Sequence, residues 1–145
     1  MLNKIQKLIK NPLFWIVVGG IILRLVGVTH GFPFIFHPDE PALIRSATGI
    51  RFEINPGHFD WPHMHFYLNF ILYWVFIKFR GLLNLLGLNG PLNAVFPLLW
   101  RDPLVFYFLS RVFDAFIGGL TAIPVFLAAK ELFNKRAGYI AALVI

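Results

Sequence analysis

Residues 104–129 read LVFYFLSRVFDAFIGGLTAIPVFLAA, a run apolar enough and long enough to cross ~30 Å of hydrocarbon as a helix. Two charges interrupt it. Arg111 and Asp114 are three residues apart and so share one helix face. Ala115, Gly118, Gly119 and Ala122 are small enough to let a second helix come close. Pro124 predicts a kink. Charged groups inside hydrocarbon are costly and rare without a partner or a function, so Arg111 and Asp114 mark either a structural pair or a working site.

The rest of the chain has the same character. It is 58% hydrophobic, 17% aromatic and 14% charged, with mean hydropathy +0.71. A water-soluble domain is roughly 45–50% apolar and about 25% charged. A chain of 145 residues is too short to hide that excess in a core. The expected fold class is therefore all-α, a polytopic membrane protein. Cysteine is absent, which rules out a disulfide framework and thiolate metal or redox sites. The net charge of +6 is scattered between apolar runs. That pattern suits anionic lipid heads rather than nucleic acid.

Towards the N-terminus, residues 12–29 form another expected span, about 27 Å long as a helix. Lys4, Lys7 and Lys10 precede it, on an arm whose Ile5, Leu8 and Ile9 share a helical face. Val28-Thr29-His30 is a poor cleavage site, so the run reads as a retained signal-anchor. Arg24 lies near its far end, able to snorkel outward or meet a charge. At the other extreme, Lys130 to Arg136 is a charged turn into Ala137–Ile145, which reads as the start of a third span. The chain is thus expected to be the front piece of a larger protein or a truncated product.

Residues 30–103 would form one large outer loop with interfacial helices near 38–48 and 64–88. In the first, Pro38 and Pro41 fit a first turn, where amide hydrogens have no intrahelical partner. Asp39 and Glu40 sit where the helix dipole favours negative charge, and Gly49 is a stop. The second is apolar and aromatic over 64–77 but broken by Lys78 and Arg80, which leaves it short for a crossing. Gly87 to Pro91, Pro97 and Asp102-Pro103 signal turns, so 81–103 reads as a surface connector. If 64–88 crossed, Lys130, Lys135 and Arg136 would face opposite to the basic N-terminus. An interfacial 64–88 puts both basic groups in the cytoplasm, as the positive-inside rule prefers.

The order of motifs resembles a known family. A signal-anchor is followed by Phe36-His37-Pro38-Asp39-Glu40, then Asn55-Pro56-Gly57-His58-Phe59-Asp60-Trp61-Pro62. A span with Leu109-Ser110-Arg111-Val112 follows, and then Ala128-Ala129-Lys130-Glu131-Leu132-Phe133-Asn134-Lys135-Arg136. This is similar to the N-terminal part of the GT-C membrane glycosyltransferases, in particular the family 39 type, with its protein O-mannosyltransferases and lipid A aminoarabinose transferases. The resemblance covers the whole chain and about the first third of a typical member.

It implies sugar transfer from a polyprenyl-phosphate donor to a glycan, lipid or protein acceptor outside the cytoplasm. Asp39 would match the catalytic carboxylate and Glu40 its neighbour. Asp60 would match an acidic loop residue that contacts a divalent metal in some members, although the family's lysine and second proline are here Trp61 and His63.

Elementary chemistry points the same way. Displacing a phosphate by a hydroxyl needs a base, for which Asp39 is the candidate. It also needs cations on the leaving phosphate, for which Arg24, Arg45, Arg51 and Arg111 are candidates. His58, Asp60, His63 and His65 cluster closely enough to hold zinc or manganese. Other readings stand beside these. The acidic pair also suits a helix cap, and interfacial histidines commonly bond only water and headgroups. The chain could also be a non-enzymatic scaffold or transporter fragment whose polar loop binds a partner, or a different phospholipid-linked transferase. The expected location is the cell membrane, with a cytoplasmic N-terminus.

Overall fold

A computed structural model describes residues 6, 9–55 and 61–145. Among these, every regular element is helical. Most of the basic arm lies outside the described residues, as do Pro56 to Asp60. The chain divides into two compact units.

The first unit comprises residues 1–28 and 111–145. Helix α1 spans Pro12–Leu25. It starts where expected, because Asn11 Oδ1 accepts from the Leu13 amide at 3.1 Å and Pro12 takes the first helical position. It stops four residues short of the expected Thr29. Gly27 at φ +83° turns the chain in a left-handed conformation that a continuing helix lacks.

The run from 104 divides into two helices, α5 (Leu104–Leu120) and α6 (Ala122–Leu132). Its break falls at Thr121, three residues before the expected kink at Pro124. Proline has no amide to bond the Leu120 carbonyl, and it is accommodated in the first turn of α6. Thr121 Oγ1 bonds back to the Gly118 carbonyl instead.

Phe133 and Asn134 turn α6 into α7, Lys135–Val144. Asn134 Oδ1 caps the new helix by accepting from the Ala137 amide at 2.9 Å. The core of this unit is Val17, Ala122, Phe126 and Ala142, flanked by Leu13, Ile16, Ile21 and Tyr139. The Phe126 and Tyr139 rings lie 4.8 Å apart. A Cβ on Gly138 would stand 2.9 Å from the Phe126 carbonyl oxygen, so α6 and α7 pack backbone to backbone there. A Cβ on Gly119 would overlap the Ile21 side chain, so the small-residue face is a packing face.

The second unit comprises residues 29–110. It holds α2 (Asp39–Gly49), α3 (His63–Leu85), α4 (Asn89–Val95), a 3-10 turn (Pro97–Trp100) and the first residues of α5. Helices α2 and α3 match the expected segments within one to three residues. Helix α2 buries Leu43, Ile44 and Ala47. Leu43 joins Ile50 and Phe66, and Ile44 and Ala47 pack on Tyr73.

Helix α3 runs through Lys78 and Arg80 without a break. The lysine ammonium rests over the Trp74 ring, 5.6 Å from its centre. The arginine forms a two-pronged bond with Asp102, at 3.0 and 2.9 Å. With both charges accommodated, the helix reaches 23 residues, about 35 Å. The expected shortness of this segment is therefore not observed.

Helix α3 ends in a Schellman motif. Gly87 takes φ +69°, its amide bonds the Asn84 carbonyl at 3.0 Å, and the Leu88 amide bonds that of Leu83 at 2.9 Å. Part of the expected surface connector is thus the last turn of α3, and α4 and the 3-10 turn occupy much of the remainder.

Two stretches, His63–Leu85 and Leu104–Leu132, are long and apolar enough to cross a membrane, and only 22% of each is buried within the structure. A core helix of a water-soluble protein hides most of its surface. These leave Ile71, Val75, Ile77, Phe79, Phe116, Ile117 and Leu127 outward, as lipid-facing helices do.

Candidate functional site

The acidic pair opens α2. Pro38 precedes it, and no side chain caps the first turn. His37 Nδ1 lies 3.4 Å from the Asp39 amide nitrogen, a long acceptor contact. The same nitrogen is 3.9 Å from Asp39 Oδ2, too far for a hydrogen bond. The Asp39 side chain is 63% exposed, which leaves its oxygens accessible to a hydroxyl group; Glu40 is half-buried. The pair is held in position by the buried face of α2 one to two turns further along.

Arg45 is exposed on the same helix. Arg51 lies just beyond the far end of α2, its guanidinium 5.5 Å from the centre of the Phe52 ring. It lines a hollow of about 460 Å³ with Thr48, Phe52, Tyr73, Trp74 and Lys78. The structure thus brings Arg51 to one hollow with Lys78, a cation that the sequence marked only as a break in an apolar run. It does not bring Arg51 to Asp39, because 10 residue steps of helix separate Asp39 from Gly49, a rise of about 15 Å.

In the first unit, Arg24 folds back along its own helix. Its Nη1 donates to the Gly20 carbonyl at 3.2 Å and its Nη2 to an oxygen of Ile145. Its stem crosses Gly118, where any Cβ would stand 2.9 Å from Nε. The snorkelling expectation gives way to backbone bonding. Arg111 is half-buried and donates to the Val28 carbonyl at 3.0 Å.

The expected metal ligands are divided. His58 and Asp60 lie outside the described residues. His63 packs its ring 6.3 Å from that of Phe66, and His65 meets the amide of Asn69 at 3.3 Å. Among the described residues no three imidazole or carboxylate groups gather.

Sequence reasoning missed a buried polar chain on α3 and α5. Asn69, at 0% exposure, donates to the His65 carbonyl at 3.0 Å. Its Oδ1 accepts from Ser110 Oγ at 2.7 Å, and Ser110 Oγ also bonds the Tyr73 hydroxyl. The spacing His65, Asn69, Tyr73 repeats every four residues and marks one face of α3. Nothing in that spacing names a partner 41 residues on.

No protein-family model, curated protein or solved structure matches the chain.

Proposed function

We propose that this chain is the first part of an inverting, lipid-phosphate-dependent glycosyltransferase embedded in a membrane. Asp39 is its general base. The carrying observation is the acidic pair in the first turn of α2, with an accessible Asp39 carboxylate, on a helix anchored on α3. In the reaction, an acceptor hydroxyl attacks the anomeric carbon, the bond from that carbon to the phosphate oxygen breaks, and the polyprenyl phosphate departs. The hydroxyl proton passes to Asp39. A base of this kind is worth about 10²–10⁴-fold. Arg45, on the same helix as Asp39, is nearer than Arg51 for the departing phosphate.

The membrane path supports an outer-face site. Lys10, Lys130 and Lys135 line one hollow, so the start of α1 and the α6–α7 turn are at one end of the first unit. Val28 and Arg111 are bonded at another point. If the segment around α1, whose 14 helical residues rise only about 21 Å, and the stretch from Arg111 to Leu132 each cross, residues 29–110 leave and return on the same side. Helix α3 then cannot cross alone. Helix α4 has 7 residues and the 3-10 turn 4, too few for a compensating crossing. On that path helix α3, although long and apolar enough to cross, lies in the interface or re-enters, and both basic groups are cytoplasmic.

The outward apolar surface also suits a scaffold that docks other helices. Donor exchange separates the readings. The full-length protein in membranes is supplied with a polyprenyl-phosphate sugar, a nucleotide sugar or phosphatidylethanolamine. Transfer from the first alone is expected. Transfer from either of the others and not from the first contradicts the proposal, as does no transfer from any donor.

A further inference from the structure

We infer that the hollow at the start of α1, ringed by Lys10, Lys130 and Lys135, binds the phosphate of an anionic phospholipid headgroup. It has a volume of about 500 Å³ and is also lined by Asn11, Pro12, Phe126 and Tyr139. The three lysines come from three places: the approach to α1, the end of α6 and the start of α7. Three lysines lining one hollow make it a favourable place for an anion.

The acidic neighbour is Glu131, whose Oε1 is 3.4 Å from Lys130 Nζ, and its side chain is 77% exposed. Lys135 rests 5.9 Å from the centre of the Tyr139 ring. Among the described residues neither Lys10 nor Lys135 has a carboxylate partner. Arg136 adds a further positive charge beside Lys135.

The apolar part of the wall favours a lipid over a bare ion. Pro12, Phe126 and Tyr139 stand beside the cations, as a glycerol backbone and the first acyl methylenes require. Trp15, one turn into α1, is half-exposed and its Nε1 donates to the Ile9 carbonyl at 2.8 Å. A tryptophan with an outward ring suits headgroup depth. Outward Ile22, Leu23 and Leu127 add apolar surface on the same unit. This proposal does not depend on the transferase reading.

The test uses the full chain in neutral detergent, with lipid retention measured by native mass spectrometry. The probes are phosphatidylglycerol, phosphatidylcholine and inorganic phosphate. The proposal expects the wild type to prefer phosphatidylglycerol over phosphatidylcholine by at least about tenfold, since each lysine near an anionic surface contributes measurably. The preference falls below about twofold in K10Q/K130Q/K135Q and persists in K10R/K130R/K135R and in K78Q. Equal retention of the two lipids by the wild type overturns it, and that comparison needs no variant to fold. So does an unchanged preference in the glutamine variant. Displacement of the lipid by millimolar inorganic phosphate overturns the lipid assignment in favour of a soluble anion.

Discussion

Arg111 Nη1 donates to the Val28 carbonyl at 3.0 Å, joining the residue where the chain leaves the first unit to the one where it comes back. Everything from Thr29 to Ser110 is therefore an insertion whose two ends are tied together. An arginine within an apolar helix commonly finds either a carboxylate or a backbone carbonyl, and a carbonyl at a turn such as Val28 has no helical amide to satisfy it.

That bond carries the first prediction. Arg111→Met removes a charge-assisted bond and leaves the Val28 carbonyl without this donor, at a cost of about 1.5–3 kcal/mol. Thermal unfolding of the chain in detergent is expected to show a clear drop in Tm, and an unchanged Tm would remove the tie from the account.

Close approach at two glycines gives the second. Gly138→Val pushes a side chain into the Phe126 backbone, and Gly119→Val pushes one into Ile21. Each is expected to destabilise by about 1–3 kcal/mol, whereas Gly90→Val, which meets nothing within 4 Å, is expected to change packing little. Denaturation in detergent compares the three.

Third, the buried chain through Asn69, Ser110 and Tyr73 is expected to be cooperative. Asn69→Leu leaves Ser110 without its acceptor, and Ser110→Ala leaves Asn69 Oδ1 without its donor. Each single change costs about 0.6–2 kcal/mol. The double variant is expected to cost less than their sum, because it strands fewer polar atoms. A double-mutant cycle on unfolding free energy measures the coupling, and strict additivity would contradict it.

Sequence alone showed the all-helical class and the positions of most helices, because apolar runs, prolines and the Gly87 turn act locally. The segment 38–48 appears as α2, and 64–88 as α3 ending at the expected glycine signal. Lys78 and Arg80 looked like breaks in the apolar run, and the helix expected over 64–88 passes through both, with Trp74 and Asp102 accommodating them. The distance from Asp39 to Arg51 was legible once α2 was accepted, since helix rise fixes it. Pairings such as Arg51 with Lys78 or Asn69 with Ser110 needed the fold.

The catalytic reading makes the fourth prediction. Asp39→Asn keeps the size of the side chain and removes its basicity, so transfer in the full-length protein is expected to fall about 10²–10⁴-fold. Glu40→Gln is expected to have a smaller effect. Activity of Asp39→Asn within about threefold of wild type would discredit the base.

The most direct test of the outer-face site uses the lack of cysteine. Single cysteines replace Gly90 and Phe133 in the full-length protein, and intact cells are treated with a thiol reagent that cannot cross membranes. Labelling at 90 with protection at 133 is predicted. Labelling at 133 with protection at 90, or labelling of both from the same side, would contradict the account.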